Sequence, residues 1–133
     1  MVDLFQEKDF LSHSGKKLRW KIECDAFSED EWECIARMIV ENEPRPFYKA
    51  EGVPRGGVTL AKCLNRFASY DRKDPVLIVD DVFTTGKSME DFASVYKEED
   101  YFGWVVFARN PVPQWITPLF AMPHSKLFFQ YFK

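Results

Sequence analysis

An α/β fold built on a mainly parallel sheet is what this 133-residue sequence predicts, and three observations predict it. Val76-Leu77-Ile78-Val79 and Gly103–Ala108 (GWVVFA) are continuous apolar runs of strand length, the pattern of strands covered on both faces. Segments with helical apolar spacing stand between the strand candidates. Two Gly-containing loops, Gly52–Gly57 and Thr84–Ser88, follow strand candidates, and open parallel sheets bind their ligands at the carboxyl ends of strands.

In chain order, irregular chain leads into a strand over Lys17–Cys24 (KLRWKIEC). Ser28 and Glu31 form a capping box, and Trp32, Ile35, Ala36, Ile39 and Val40 follow at helical spacing until Pro44 and Pro46 stop the helix. A short strand around Phe47–Glu51 leads to the first loop. A second helix then carries Val58, Leu60, Ala61, Leu64 and Ala68 on one face and runs to about Tyr70. Asp71–Pro75 is a polar turn before the strand Val76–Val79. Met89, Phe92, Ala93 and Tyr96 mark a third helix, and Gly103–Ala108 is the next strand. The order strand, helix, strand, helix, strand implies right-handed crossovers.

The length fits one domain over residues 1–133, with a core of ordinary size. Thirteen Phe and four Trp are aromatic surface that must be buried or must stack on something. No apolar run is long enough to span a membrane, and MVDLFQEKDF has no signal pattern, so a cytoplasmic location is expected. Cys24, Cys34 and Cys63 are odd in number and lack metal-ligand spacing, which reads as reduced thiols without a zinc site. A net charge of -3 gives no footprint for nucleic acid, so any phosphate site must be local.

The stretch Val79–Ser88 (VDDVFTTGKS) ends like a triphosphate-binding P-loop, but counting back from Gly86 puts Asp81 where the first glycine must be. A carboxylate there would repel the phosphates. The paired acids also resemble those of bacterial receiver domains, yet in those the pair opens the domain, whereas Asp80 lies beyond the middle of this chain. What remains is a stretch with two jobs. Thr84, Thr85, Gly86, Lys87 and Ser88 make a hydroxyl-rich turn at a helix start, suited to a phosphate monoester. Asp80 and Asp81 are poor phosphate ligands but good acceptors for two adjacent hydroxyls. Together they describe a ribose 5-phosphate.

Val76–Met89 (VLIVDDVFTTGKSM) resembles the 5-phosphoribosyl 1-pyrophosphate (PRPP) motif of the type I phosphoribosyltransferases: apolar strand, two acids, an apolar pair, then T-T-G-x-[ST]. Glu51–Ala61 looks like the pyrophosphate loop of that family, with Gly56 and Gly57 permitting close backbone approach and Arg55 supplying a charged donor fork. Family members often carry a non-proline cis peptide in this loop, here expected at Pro54-Arg55. Phe10–Lys17 (FLSHSGKK) resembles the base-binding start of the orotate phosphoribosyltransferases, with His13 where those enzymes carry a substrate-contacting Lys.

The resemblance implies a three-layer fold with a small hood from about residues 1–27 and 110–133. It implies transfer of a phosphoribosyl group from PRPP to a nucleobase, a pyrimidine or related heterocycle, with release of pyrophosphate. Asp80 and Asp81 would take the ribose hydroxyls and, through them or water, Mg2+; residues Thr84–Ser88 would take the 5-phosphate, and Arg55, Gly56 and Gly57 the pyrophosphate. His13 is open between a base contact and an exposed loop residue. Trp115 is open between stacking on a ring and packing, and Phe120, Phe128, Phe129, Tyr131 and Phe132 read as core or as a homodimer interface. Purine-salvage relatives carry Asp where this chain has Thr84, which disfavours a 6-oxopurine. The chain also lacks the long mobile loop that family members place before the PRPP strand. That leaves an alternative: a phosphoribosyltransferase-like protein that senses PRPP or a nucleotide without turnover.

Overall fold

A computed structural model of the chain describes residues 2–11, 17–97 and 100–123. His13 and the aromatic residues Phe128, Phe129, Tyr131 and Phe132 lie outside them. The chain opens with an antiparallel hairpin, β1 (Phe5–Leu11) and β2 (Lys17–Ile22). Then come α1 (Glu29–Asn42), β3 (Ala50–Gly52), α2 (Val58–Leu64), β4 (Val76–Phe83), α3 (Lys87–Ala93), β5 (Tyr101–Ala108) and β6 (Ile116–Ala121). Strands β3-β4-β5-β6, in that order, form one fully parallel sheet.

The sheet is the middle of three layers. Alternate residues of β4 serve opposite faces: Leu77 and Val79 pack with Ile35 and Ile39 of α1 and Leu60 and Leu64 of α2. Val76 and Ile78 pack with Met89 and Ala93 of α3. Burial on both sides is what the unbroken VLIV run demands, and each fully buried aliphatic side chain is worth roughly 1.5–3 kcal/mol. The capping box is present: Ser28 Oγ accepts from Glu31 N at 3.1 Å and Glu31 Oε1 accepts from Ser28 N at 3.0 Å.

Four elements differ from the sequence reading. The N-terminal segment is strand β1 rather than irregular chain. Helix α2 stops at Leu64 because Ser69 N and Tyr70 N donate to Phe47 O and Tyr48 O instead of continuing the helix, while the Asn65 amide pairs with both Ala50 N and Ala50 O and closes the open edge of β3. Strand β4 runs on through both aspartates to Phe83, and its alternation inverts across them: Val82 joins the α1/α2 core and Phe83 the α3 core. Residues 116–121, assigned from sequence to the hood, form the edge strand β6, where Pro118 is tolerated because its missing N–H can face outward.

Candidate functional site

The carboxyl ends of β3, β4 and β5 open into a cavity of about 430 Å³. Register explains why. Gly52, the last residue of β3, pairs with Val79, so the following turn lies beside Asp80 and Asp81; Phe83 pairs with Ala108, so the turn after β4 meets the chain leaving β5. Arg55 and Gly56 from the first turn, both aspartates, and all five residues Thr84–Ser88 line this cavity.

The turn after β3 is fixed by its backbone. Val53 N donates to Val79 O and Gly57 N to Val53 O, each at 2.9 Å, and the Pro54-Arg55 peptide is cis, as the loop resemblance implies. Gly57 lies under this turn, buried and outside the cavity lining. In the second turn Gly86 takes a left-handed conformation (φ 83°), which only glycine adopts freely, and Asn110 Nδ2 donates to Thr84 O. Lys87 is exposed, with Nζ 3.4 Å from Asp91 Oδ2, a surface pair of little energetic weight.

Asp80 is the one buried charged residue among those described, 8% exposed. Burial first, and then the neighbouring Asp81, push its carboxyl well above the usual carboxylate range. Its Oδ1 accepts from Asp81 N at 2.8 Å, and Asp81 Oδ1 accepts from Val82 N at 2.7 Å, so each carboxylate is held by the next peptide along the strand. Cys24, also buried, has its thiol pushed up by burial and then by Asp81, which suits packing and not nucleophilic attack.

Lys21, Ile22 and Asp91 line the cavity without having been singled out from the sequence, whereas Leu11 lies in the segment that resembles a base-binding start and Arg109 opens the segment Arg109–Trp115 that was expected to cover the site. Leu11, Lys21 and Ile22 come from the hairpin, and Arg109 follows the last residue of β5. Lys21 Nζ bonds Glu23 Oε2 at 2.7 Å, and that bond holds the Glu23 carboxyl below its ordinary value. The Arg109 guanidinium lies 3.4 Å from the centre of the Trp20 ring and donates to Trp20 O at 2.7 Å, tying the hairpin to the end of the sheet. Burial lowers the pKa of Arg109 from its ordinary value. A charged residue following an apolar strand run was a legible signal for Arg109 as for Asp80; Lys21 and Ile22 carry none.

Trp115 is not brought to the cavity. It precedes β6 and so stands at the amino end of the parallel sheet, its ring edge-on to Tyr101 (centroids 5.0 Å apart) and against Gly103, where a Cβ would lie 2.9 Å from it. A residue following the last predicted strand was expected at the carboxyl end; the chain has already crossed back to start β6.

Neither a protein-family model nor a curated protein sequence matches the chain. Solved structures do. It is similar to an orotate phosphoribosyltransferase from Aeropyrum pernix, at 19% identity and TM-score 0.69, over 97% of this chain and 93% of that one. It is also similar to the orotate phosphoribosyltransferase of Francisella tularensis, at 12% identity and TM-score 0.54, over 84% of this chain and 69% of that one. With the parallel sheet, the helices on its two faces and the loops at its carboxyl edge, the chain has the fold of the type I phosphoribosyltransferases.

Proposed function

We propose that this protein is a PRPP-dependent phosphoribosyltransferase that transfers the 5-phosphoribosyl group to a nucleobase nitrogen, of a pyrimidine or related heterocycle, and releases pyrophosphate. The observation that carries this reading is the convergence of three chemically distinct groups on one cavity: Arg55–Gly56, Asp80–Asp81 and Thr84–Ser88. They match the diphosphate, the ribose diol and the 5-phosphate of one molecule. Leu11 and Ile22 offer apolar wall for a flat ring, and Lys21 and Arg109 bring positive charge suited to ring or substituent oxygens.

In this reading the base nitrogen bonds to C1 of the ribose as the bond from C1 to the diphosphate oxygen breaks, the electron pair leaving with pyrophosphate and the proton on the nitrogen passing to solvent. The chain's part is positioning and charge. Asp80 and Asp81 accept from the ribose hydroxyls, Thr84–Ser88 anchor the 5-phosphate, and Arg55 meets the charge that grows on the leaving group. Asp80 and Asp81 are oxygen donors of the kind Mg2+ takes, and in this reading they would reach it through ribose hydroxyls or water. When bound, Mg2+ would offset charge on the diphosphate. The cavity wall is completed by Leu11, Lys21 and Ile22 of the hairpin, which Arg109 pins, and by Met89 and Asp91 of α3; in this reading the hairpin covers the base.

One observation favours a second reading, a binding protein without turnover. Residues 71–75 close a tight turn, with Asp74 N donating to Asp71 O and Lys73 N to Asp71 Oδ1, and enter β4 directly. No segment there can close over the cavity. Pyrophosphate release, measured with Mg2+ and PRPP across a panel of pyrimidines and purines, separates the two. Release with a pyrimidine is the expected result; PRPP binding without release for any base would favour the sensor, and binding of neither PRPP nor a nucleotide would overturn both.

A further inference from the structure

The turn after β3 contains two adjacent glycines, and their neighbours differ in kind. A Cβ on Gly57 would lie 2.3 Å from Val79 O and 2.8 Å from Val53 N, both main-chain atoms held in the hydrogen bonds that anchor the turn. A Cβ on Gly56 would lie 2.4 to 2.5 Å from the three atoms of the Asp81 carboxylate. All of these are far inside van der Waals contact, so something must yield. Main chain paired into a sheet yields only with the sheet, whereas a carboxylate on a two-torsion side chain yields by rotating. Glycine is therefore needed at 57 for the fold and at 56 for the site.

We propose that Gly56 is a positioning residue: its missing side chain reserves the space in which the Asp81 carboxylate stands, so the loop assigned to the diphosphate also sets the group assigned to the ribose hydroxyls. This deepens the reading given above and rests on it. Asp81 Oδ1 accepts from the Val82 N–H at 2.7 Å, and its carboxylate stands where a side chain on Gly56 would have to go. A group in that position links two loops that are separate in sequence, and a change in one is felt in the other.

Ribose 5-phosphate is the discriminating probe, because it has the diol and the 5-phosphate but no diphosphate. Calorimetric titration should show Gly56→Ala losing about tenfold or more in affinity for it, the worth of one charge-assisted hydrogen bond. Its melting temperature should stay within about 3 °C of wild type, while Gly57→Ala melts well below. In an Asp81→Ala background, Gly56→Ala should cost no further affinity. The inference is overturned if Gly56→Ala binds ribose 5-phosphate as well as wild type does. It is equally overturned if the loss is the same with Asp81 removed, because the new methyl would then be acting on the ligand directly. If wild type binds neither ribose 5-phosphate nor PRPP, the functional reading fails separately. The crystal structure of Gly56→Ala then decides the positioning claim alone, a displaced Asp81 carboxylate supporting it and an unmoved one refuting it.

Discussion

The two ends of the parallel sheet are built from opposite chemistry. Toward the carboxyl end β4 carries Asp80 and Asp81 and β5 leads into Arg109, around a cavity of about 430 Å³. At the amino end the Tyr101 ring packs between Tyr96 and Trp115, with Trp115 filling the space over Gly103. One end leaves polar groups facing a space, at a cost in stability; the other fills its space and supplies stability. The separation is only about one strand length, so substitutions at the two ends should divide cleanly between binding and folding.

The largest effect should come from the carboxyl end. Asp80→Asn with Asp81→Asn removes the two carboxyl groups assigned to the ribose hydroxyls and should weaken PRPP binding by about 100-fold or more, without lowering the melting temperature. Unchanged affinity would place the ribose elsewhere. Trp115→Ala should do the reverse, costing about 2–4 kcal/mol in denaturant unfolding with PRPP affinity unchanged, because it opens a cavity remote from the ligand. A loss of affinity with intact stability would return Trp115 to the site.

A smaller effect belongs to Asp80 alone. Its carboxyl titrates above the ordinary range in the folded chain, so the unfolded chain gives up this proton first as pH rises. Its contribution to stability is thus fully present below the ordinary carboxylate value and is lost progressively above it. Denaturation at about pH 5 and about pH 8 should show wild type losing stability relative to Asp80→Asn, by an amount of order 1 kcal/mol or more; parallel behaviour of the two would contradict the burial argument. Ser28→Ala, at the start of α1 and at neither end, calibrates the scale: loss of the cap should cost about 1 kcal/mol and leave ligand binding untouched.

Much of the carboxyl end was legible because local chemistry specifies it. A two-sided apolar run marks β4 as a buried strand, consecutive carboxylates at its end have no packing rationale, and the Ser28–Glu31 box sets the start of α1. The amino end and the cover were not legible, because they depend on partners distant in sequence. Trp115 was misplaced because β6, carrying Pro118 and half-exposed residues, does not read as a sheet strand. The second hairpin strand was expected, but β1, FQEKDFL, was missed because it is polar at most positions, and the placement of the hairpin depends on Phe5 meeting Phe107 and on Arg109 holding Trp20. Helix α2 was drawn too long because nothing local announces that Asn65 will close the edge of β3.

The proposed function stands or falls on where one ligand lies. A crystal structure of the protein with PRPP and Mg2+ should show the 5-phosphate in the turn of Thr84–Ser88, the ribose hydroxyls on Asp80 and Asp81, and the diphosphate against Arg55 and Gly56. A ligand bound away from this cavity, or one whose ribose does not touch the two aspartates, would contradict it.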